Sequence, residues 1–322
     1  MTARENDVEA RCVDLNVRPL MKTSPLASPA PQSSSTSDDA KYWIDGQLVN
    51  RSAAALPLSD LGFTRGYAAF DALRTYQGVP FLLEQHLQRL EKTCALMFLR
   101  LPLARAALTA VISETLAANS YPESLVRIMV TGGDAAGFIP EDRERVLVLV
   151  DPLRTYPARQ YEQGVGLATA TLDRTLPVAK STSYLAGVWE TIQARRKGLD
   201  EVVFCDARGG ILEGTTFSVV AARGRELVSP ESGILPGITV EHVFQIAVKE
   251  GFTLKRQPLT REVWESADEL FITSSTRELI PVNRIDDTWL GKTKPPGITR
   301  RLHELYRQSA HAICKAARVE AA

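Results

Sequence analysis

The chain has 322 residues, 44% hydrophobic and 24% charged, a composition of ordinary globular proteins with ample length to bury a core. Its 38 basic and 38 acidic side chains cancel, which excludes the electrostatic footprint of a nucleic-acid binder or a polybasic membrane-docking protein, and no apolar run reaches the about 18 residues of a membrane span. Cys12, Cys94, Cys205 and Cys314 form no Cys-x-x-Cys pair, which argues against a disulfide scaffold or zinc ribbon and for a reducing, cytoplasmic setting.

Residues 1–40 read as a disordered tail. The stretch 23–39, TSPLASPAPQSSSTSDD, has too few apolar side chains to offset the entropy of ordering it. Residues 1–22 balance four basic against four acidic groups, unlike an Arg-rich transit peptide, and Met21 is an alternative start. Order is expected from residue 42. YWIDGQLV (42–49) forms a hairpin about Asp45-Gly46, and 72–76 with 79–82 a second one about Gln77-Gly78. Leu87, Leu90, Cys94, Leu96 and Met97 recur at helical spacing within 84–99, and a second helix spans 103–118. Residues 125–131 and 146–150 are strand-like, around a Gly-rich loop at 132–145.

Residues 152–160, rich in Pro and Arg, read as a linker between a small domain at 41–151 and a larger one at 161–322. The larger part begins with a strand at 165–171 and a helix at 184–197 that stops at Gly198. Short strands follow at 201–205, 211–212, 217–222 and 226–228, then a helix at 239–250 stopped by Gly251. Strands at 254–258 and 269–272 and a helix from 300 complete the pattern. Antiparallel strands beside segregated helices indicate an α+β fold.

Several catalytic signatures are missing. There is no Gly-x-Ser-x-Gly elbow, His-Glu-x-x-His or EF-hand loop. His86, His242, His303 and His311 do not cluster as metal ligands, so each reads as a surface or helix histidine and no metal is expected. Gly-x-Gly-x-x-Gly is absent, and Gly291-Lys292-Thr293 lacks the P-loop glycine at position 286, which is Asp286.

Four separated segments remain: HLQRL (86–90), AKSTSYL (179–185), LEGTTFS (212–218) with PGIT (236–239), and FITSSTRE (271–278). Together they are parts for holding a phosphorylated aromatic aldehyde. Lys180 stands in an uncharged stretch, where desolvation makes a lysine a Schiff-base nucleophile; alone it reads more simply as a snorkelling surface lysine. Glu213 precedes an apolar strand, and a buried carboxylate there needs a partner such as a pyridinium N–H; alone it is a turn carboxylate. Gly237-Ile238-Thr239 opens a helix whose free N–H groups make an anion site, or a simple Thr-capped end. Ser274-Ser275-Thr276 supplies hydroxyls after a strand, or another cap. Arg89 can pair a phosphate, or be an exposed helix charge.

The order and spacing of these segments resemble the class IV pyridoxal-phosphate aminotransferases, the fold shared by branched-chain and D-amino-acid aminotransferases and aminodeoxychorismate lyase. Glu213 follows Lys180 by 33 residues and Gly237 of PGIT follows by 24 more. DLGFTRGYAAFDALRTY (60–76), HLQRL, EGTT and TSSTRE–PV also match, and the resemblance covers about residues 42–306. It implies fold type IV, two α/β lobes with pyridoxal 5'-phosphate (PLP) between them, and a homodimer with sites at the subunit interface. It makes Lys180 the Schiff-base lysine and proton shuttle, Glu213 the partner of the ring nitrogen, and Arg89, Ile238, Thr239 and Ser275 the phosphate site. Tyr184 resembles the tyrosine that reaches the cofactor's phenolic oxygen, one residue nearer the lysine than in branched-chain enzymes; it also reads as a core-packing aromatic.

On the substrate side, Phe70 and Arg74 resemble residues of branched-chain enzymes, and Thr276 lies in the turn whose amides can bind a carboxylate. Arg277 stands where those enzymes have a small residue, and either binds carboxylate or points to solvent. Ser218 replaces the family's asparagine and keeps one hydrogen bond. Thr131-Gly132-Gly133 lacks the arginine with which D-amino-acid members trap a carboxylate. The resemblance therefore implies transfer of an amino group from an amino acid, branched-chain L first, to a 2-oxo acid. The rivals are a D-amino-acid or (R)-amine transaminase, a lyase resembling aminodeoxychorismate lyase, and a cofactor-binding protein without turnover.

Overall fold

The structure, a computed structural model, describes residues 40–290 and 297–320, the side chain of Glu320 excepted. The expected tail at 1–39, with Cys12 and the alternative start Met21, and the Gly291-Lys292-Thr293 segment lie outside the described residues. Ala40, grouped with the tail by composition, is instead buried, and its carbonyl accepts from the Arg51 N–H at 2.7 Å.

Two sheets organise the chain. The first is antiparallel, in the order Gln47–Asn50, Lys41–Ile44, Arg145–Pro152, Ser124–Thr131, Ala68–Tyr76, Val79–Pro80. Both expected hairpins form: Asp45-Gly46 turns with φ of 45° and 94°, and Gln77-Gly78 with 55° and 78°. Two consecutive residues at positive φ are what a two-residue turn needs to match strand twist. Helices Leu83–Leu96 and Arg105–Ala117 cover one face. Leu87, Leu90, Cys94, Leu108 and Ile112 pack there against Val126, Ile128, Val148 and Val150, each such side chain contributing roughly 1.5–3 kcal/mol by burial.

The strand Ala68–Tyr76 is longer than its sequence pattern indicates, because Ala68–Arg74 pairs residue for residue with Leu125–Thr131. Alternation decides what each side chain meets. Ala69 and Leu73 enter the core under the helices, with Asp71 between them on the same face, while Phe70 and Ala72 face the opposite way.

The second sheet has nine strands, mostly antiparallel. Its order is Thr253–Arg256, Glu226–Ser229, Ser218–Arg223, Glu269–Ser274, Glu278–Ile285, Val165–Thr171, Glu201–Cys205, Ile211–Gly214, with Thr288–Trp289 beside Glu278–Ile285. One additional rung, Glu213 opposite Ser218, joins Ile211–Gly214 back to Ser218–Arg223 and closes six of these strands into a ring. Helices Ile238–Lys249 and Gly297–Glu320 cover its outside, where Val243, Phe244, Leu302 and Tyr306 pack on Val220, Phe271 and Leu279. Tyr76 and Phe81 of the first sheet's second hairpin join that same cluster.

Strands and helices segregate as an α+β fold requires. The 152–160 stretch differs from a plain linker: Pro152 is the last rung of Arg145–Pro152, opposite Ser124, and Ala158–Gln163 is a helix. The strand Glu278–Ile285 is hidden in the sequence by Pro281. Pairing with Val165–Thr171 begins only at Val282, so the proline leaves no rung unmade on that side. Cys94, Cys205 and Cys314 are free and buried. No helix among the described residues is long and apolar enough to cross a membrane, and no group of His, Cys, Asp and Glu among them could hold a metal.

Candidate active site

Between the two sheets lies a cavity of about 1180 Å3. Its wall includes Phe70, Arg89, Lys180, Tyr184, Glu213 and Ser218, and Ile238, Thr239, Ser275, Thr276 and Arg277. Arg74 is not brought to it. Its guanidinium turns away to Glu278 at 2.9 Å and stacks over the Tyr76 ring at 4.1 Å.

Lys180 is held by the first sheet although it belongs to the second half of the chain. The 180–182 segment runs against Ala68–Phe70: the Phe70 N–H donates to the Lys180 carbonyl at 2.9 Å and the Thr182 N–H to that of Ala68 at 3.0 Å. The Lys180 N–H also reaches Thr93 Oγ1 at 3.3 Å. Its amine lies 4.7 Å from the Phe70 ring centre and forms no ion pair among the described residues. Burial, helped by the Arg89 charge, lowers its pKa to about 8, against the pull of Asp71 and Glu213. A fraction of the amine is therefore uncharged near neutrality, as a nucleophile or base requires.

Glu213 sits on the ring-closing rung. One of its oxygens takes the Arg174 guanidinium and the other the Leu235 N–H at 3.1 Å. Burial pushes its pKa up, and Arg174 and Leu235 only partly offset this. The turn after it is tight: a Cβ on Gly214 would lie 2.1 Å from the Phe217 ring.

Arg89 is fixed from behind. Its Nε and one terminal nitrogen donate to the two oxygens of Asp71, both at 2.8 Å, and the other terminal nitrogen to the Pro236 carbonyl at 3.0 Å. A guanidinium has five N–H groups, so two remain for an anion. Asp71 also meets His86 Nδ1 at 2.7 Å. Burial pushes the Asp71 pKa up, but Arg89 and His86 outweigh it and hold the group far below the usual carboxylate range. His86 is thus no surface histidine: it is 2% exposed, and burial lowers its pKa.

The helix Ile238–Lys249 begins at Gly237 without a side-chain cap, which leaves its first N–H groups without an intrahelical partner, and Gly237, Ile238 and Thr239 line the cavity together with Arg89. A Cβ on Gly237 would lie 2.6 Å from Ser218 Oγ; glycine lets helix start and Ser218 approach. Ser275, Thr276 and Arg277 form the turn between Glu269–Ser274 and Glu278–Ile285. Tyr156 OH lies 3.3 Å from Thr276 Oγ1. Arg277 does not point to solvent: it is buried at the cavity wall. It pairs with Glu201 at 2.5 Å, donates to Thr216 Oγ1 at 2.7 Å, and lies against the Tyr156 and Phe217 rings. Tyr184 precedes the helix Leu185–Arg196, its ring 5.9 Å from that of Phe70, and burial raises its pKa.

Sequence reasoning misses Asp71, Arg174 and Glu201. Asp71 lies within AAFDALRTY, where a lone carboxylate among apolar strand residues is itself a signal. Arg174 and Glu201 carry no local signal, because their partners are 39 and 76 residues away.

The sequence profile of the amino-transferase class IV family matches residues 68–285. The chain belongs to the class IV aminotransferases. A Methanocaldococcus jannaschii protein provisionally named a branched-chain-amino-acid aminotransferase is 31% identical over 278 residues, 83% of this chain and 95% of its own length. The D-alanine aminotransferase of Bacillus licheniformis is 28% identical, covering 84% of this chain and 96% of its own. The structure of the Thermoproteus uzoniensis branched-chain aminotransferase with norvaline superposes with a TM-score of 0.78 at 28% identity, over 84% of this chain and 95% of that one. A branched-chain amino acid aminotransferase solved with pyridoxamine 5'-phosphate shares the fold at a TM-score of 0.80. The fold is that of type IV PLP enzymes and the protein is a class IV transaminase. Membership implies PLP. The donor set fits such a group: an uncapped helix start, two free guanidinium N–H groups, a buried carboxylate and an amine of lowered basicity share one cavity.

Proposed function

We propose that this transaminase moves an amino group from a branched-chain L-amino acid to a 2-oxo acid such as 2-oxoglutarate or pyruvate, using PLP bound in the cavity. Bound PLP supplies an electrophilic carbonyl and an electron-withdrawing ring. Arg89, the N–H groups of Ile238 and Thr239, and Ser275 hold its phosphate. Glu213 accepts from its ring nitrogen, Tyr184 donates to its phenolic oxygen, and Ser218 orients Glu213 across the closing rung. Lys180 Nζ takes and returns the substrate Cα proton, which its lowered basicity suits near neutral pH.

The observation that carries this reading is the uncharged-capable Lys180 in one cavity with Glu213 and the Arg89–helix-start anion site. The branched-chain assignment is supported by the Methanocaldococcus jannaschii relative and by apolar wall residues Phe70, Leu125, Leu172 and Leu176. It is supported also by Arg277 being already neutralised by Glu201. A cytoplasmic homodimer completes the proposal, with free buried cysteines and exposed Phe63, Phe138 and Trp189 in its favour.

The test is a half-reaction screen on the PLP-loaded protein, following its visible band. L-Leucine should bleach the band and 2-oxoglutarate restore it. Bleaching by D-alanine but not L-leucine replaces the branched-chain reading with the D-amino-acid one, to which the Bacillus licheniformis relative points. Pyruvate release from aminodeoxychorismate without an oxo-acid acceptor replaces it with a lyase.

A further inference from the structure

Of the four arginines on the described cavity wall, three have their own carboxylate and Arg65 has none among the described residues. Arg89 holds Asp71, Arg277 holds Glu201, and Arg174 holds Glu213. The Arg174 guanidinium does more than pair. Besides Glu213 Oε1, it donates to the carbonyls of Pro177 at 3.3 Å and Ala179 at 3.1 Å, and Ala179 immediately precedes Lys180. One planar group therefore ties the carboxylate strand to the chain that presents the amine.

We propose that Arg174 is a positioning residue that sequesters Glu213 from Lys180, keeping the carboxylate ionised for a ring nitrogen and the amine without a counter-ion. This rests on the reading of Glu213 as the ring-nitrogen partner. The physical reason is competition for one buried anion. Glu213 is the carboxylate that faces both cations across the cavity, and a guanidinium with two further carbonyl acceptors is the more rigidly placed partner. Without Arg174, Glu213 has two alternatives: it takes a proton, because burial already raises its pKa, or it pairs with Lys180. Either outcome removes something the chemistry uses. The other charged groups facing the amine, Arg89 and Asp71, are locked to each other and stay in place, and Tyr184 is neutral.

The test uses full-length protein freed of PLP, and follows PLP incorporation against pH together with direct PLP affinity. In the parent protein the incorporation midpoint should fall near the Lys180 pKa of about 8. Arg174→Gln should move that midpoint up by about one unit and weaken PLP binding about tenfold, the scale of one lost charge-assisted hydrogen bond. Arg174→Lys should move it less, in the same direction, because one ammonium cannot span all three acceptors. In a Glu213→Gln background, Arg174→Gln should give a distinctly smaller upward shift, the part that remains being the direct repulsion between the two cations. An unchanged midpoint together with unchanged PLP affinity in Arg174→Gln overturns the proposal, as does an equal shift in both backgrounds, which is what direct repulsion by the Arg174 charge alone gives. Should Arg174→Gln not fold, an unshifted Arg174→Lys overturns it. The ring-nitrogen reading fails separately, if Glu213→Gln alone leaves PLP affinity unchanged.

Discussion

Phe70 holds Lys180 twice: its N–H donates to the lysine's carbonyl at 2.9 Å, and its ring centre lies 4.7 Å from the lysine's amine. The backbone bond fixes where the side chain starts, and the ring keeps water from where it ends. Phe70→Ala keeps the first and removes the second. Its expected result is a higher pH midpoint for PLP incorporation with near-parental melting temperature once PLP is bound. An unchanged midpoint would mean that the ring contributes nothing to the amine's low basicity.

Lys180 also gives the apoprotein a pH-dependent stability of defined sign. Its folded pKa of about 8 lies below the ordinary 10.5, so between these values the unfolded chain binds more protons and stability rises with pH. Below about pH 8 the charged amine is buried at full cost. Lys180→Met should therefore stabilise the apoprotein at pH 7, by on the order of a few kcal/mol, with the advantage shrinking toward pH 10. Paired denaturant titrations at the two pH values measure this; a pH-independent difference rules it out.

Asp71 is fully buried and serves Arg89 and His86 at once. Asp71→Asn leaves a guanidinium without its carboxylate, expected to cost about 3 kcal/mol or more in stability and to weaken PLP binding through a loosened Arg89. The Arg89→Leu, Asp71→Asn double variant should be more stable than Asp71→Asn alone. Equal stability of single and double variants would refute this account of Asp71.

Glu278 collects Tyr76 OH at 2.6 Å, Arg74 at 2.9 Å and His303 at 2.7 Å. Burial pushes its pKa up, but the hydrogen bonds from His303 and Tyr76 and the Arg74 charge prevail and bring it to about 2, from an ordinary 4.5. Its folded pKa is depressed, so its stabilisation is complete above pH 4.5 and lost as pH falls through 2. Glu278→Gln should lower stability at pH 7 by about 3 kcal/mol and flatten the acid limb. Acid unfolding curves of parent and variant parallel down to pH 2 would contradict it.

Gly214→Ala places a Cβ inside the Phe217 ring. Overpacking of this kind typically costs about 1–3 kcal/mol, and here it also shifts Glu213, so thermal stability and PLP affinity should fall together. Adding Phe217→Leu should recover part of both, whereas loss of stability without loss of affinity would separate the turn from the site.

Periodicity makes the helix Leu83–Leu96 and both hairpins legible, because apolar spacing and paired turn residues are local. Spacing along the chain likewise marks Lys180, Glu213, Arg89 and the helix start at Ile238 before any geometry is at hand. The misplaced or overlooked residues share a different property. Arg74 groups with Phe70 by strand alternation, yet it is drawn off by Glu278, 204 residues later. Asp71, Arg174 and Glu201 matter only through partners that the fold brings near, and a charge reads as solvated until its partner is seen. Pro281 hides a strand because its tolerance depends on where the neighbouring strand begins to pair.

The rung Glu213–Ser218 is the single seam that closes the second sheet into a ring. A molecule that bonds Glu213 therefore adds a contact at the hoop's one-rung joint, where the carboxylate is otherwise held only by Arg174 and the Leu235 N–H. Holding the cofactor and holding the barrel shut are then one event, so amide protons of Ile211–Gly214 and Ser218–Arg223 should become the slowest to exchange when PLP binds and fray first when it leaves.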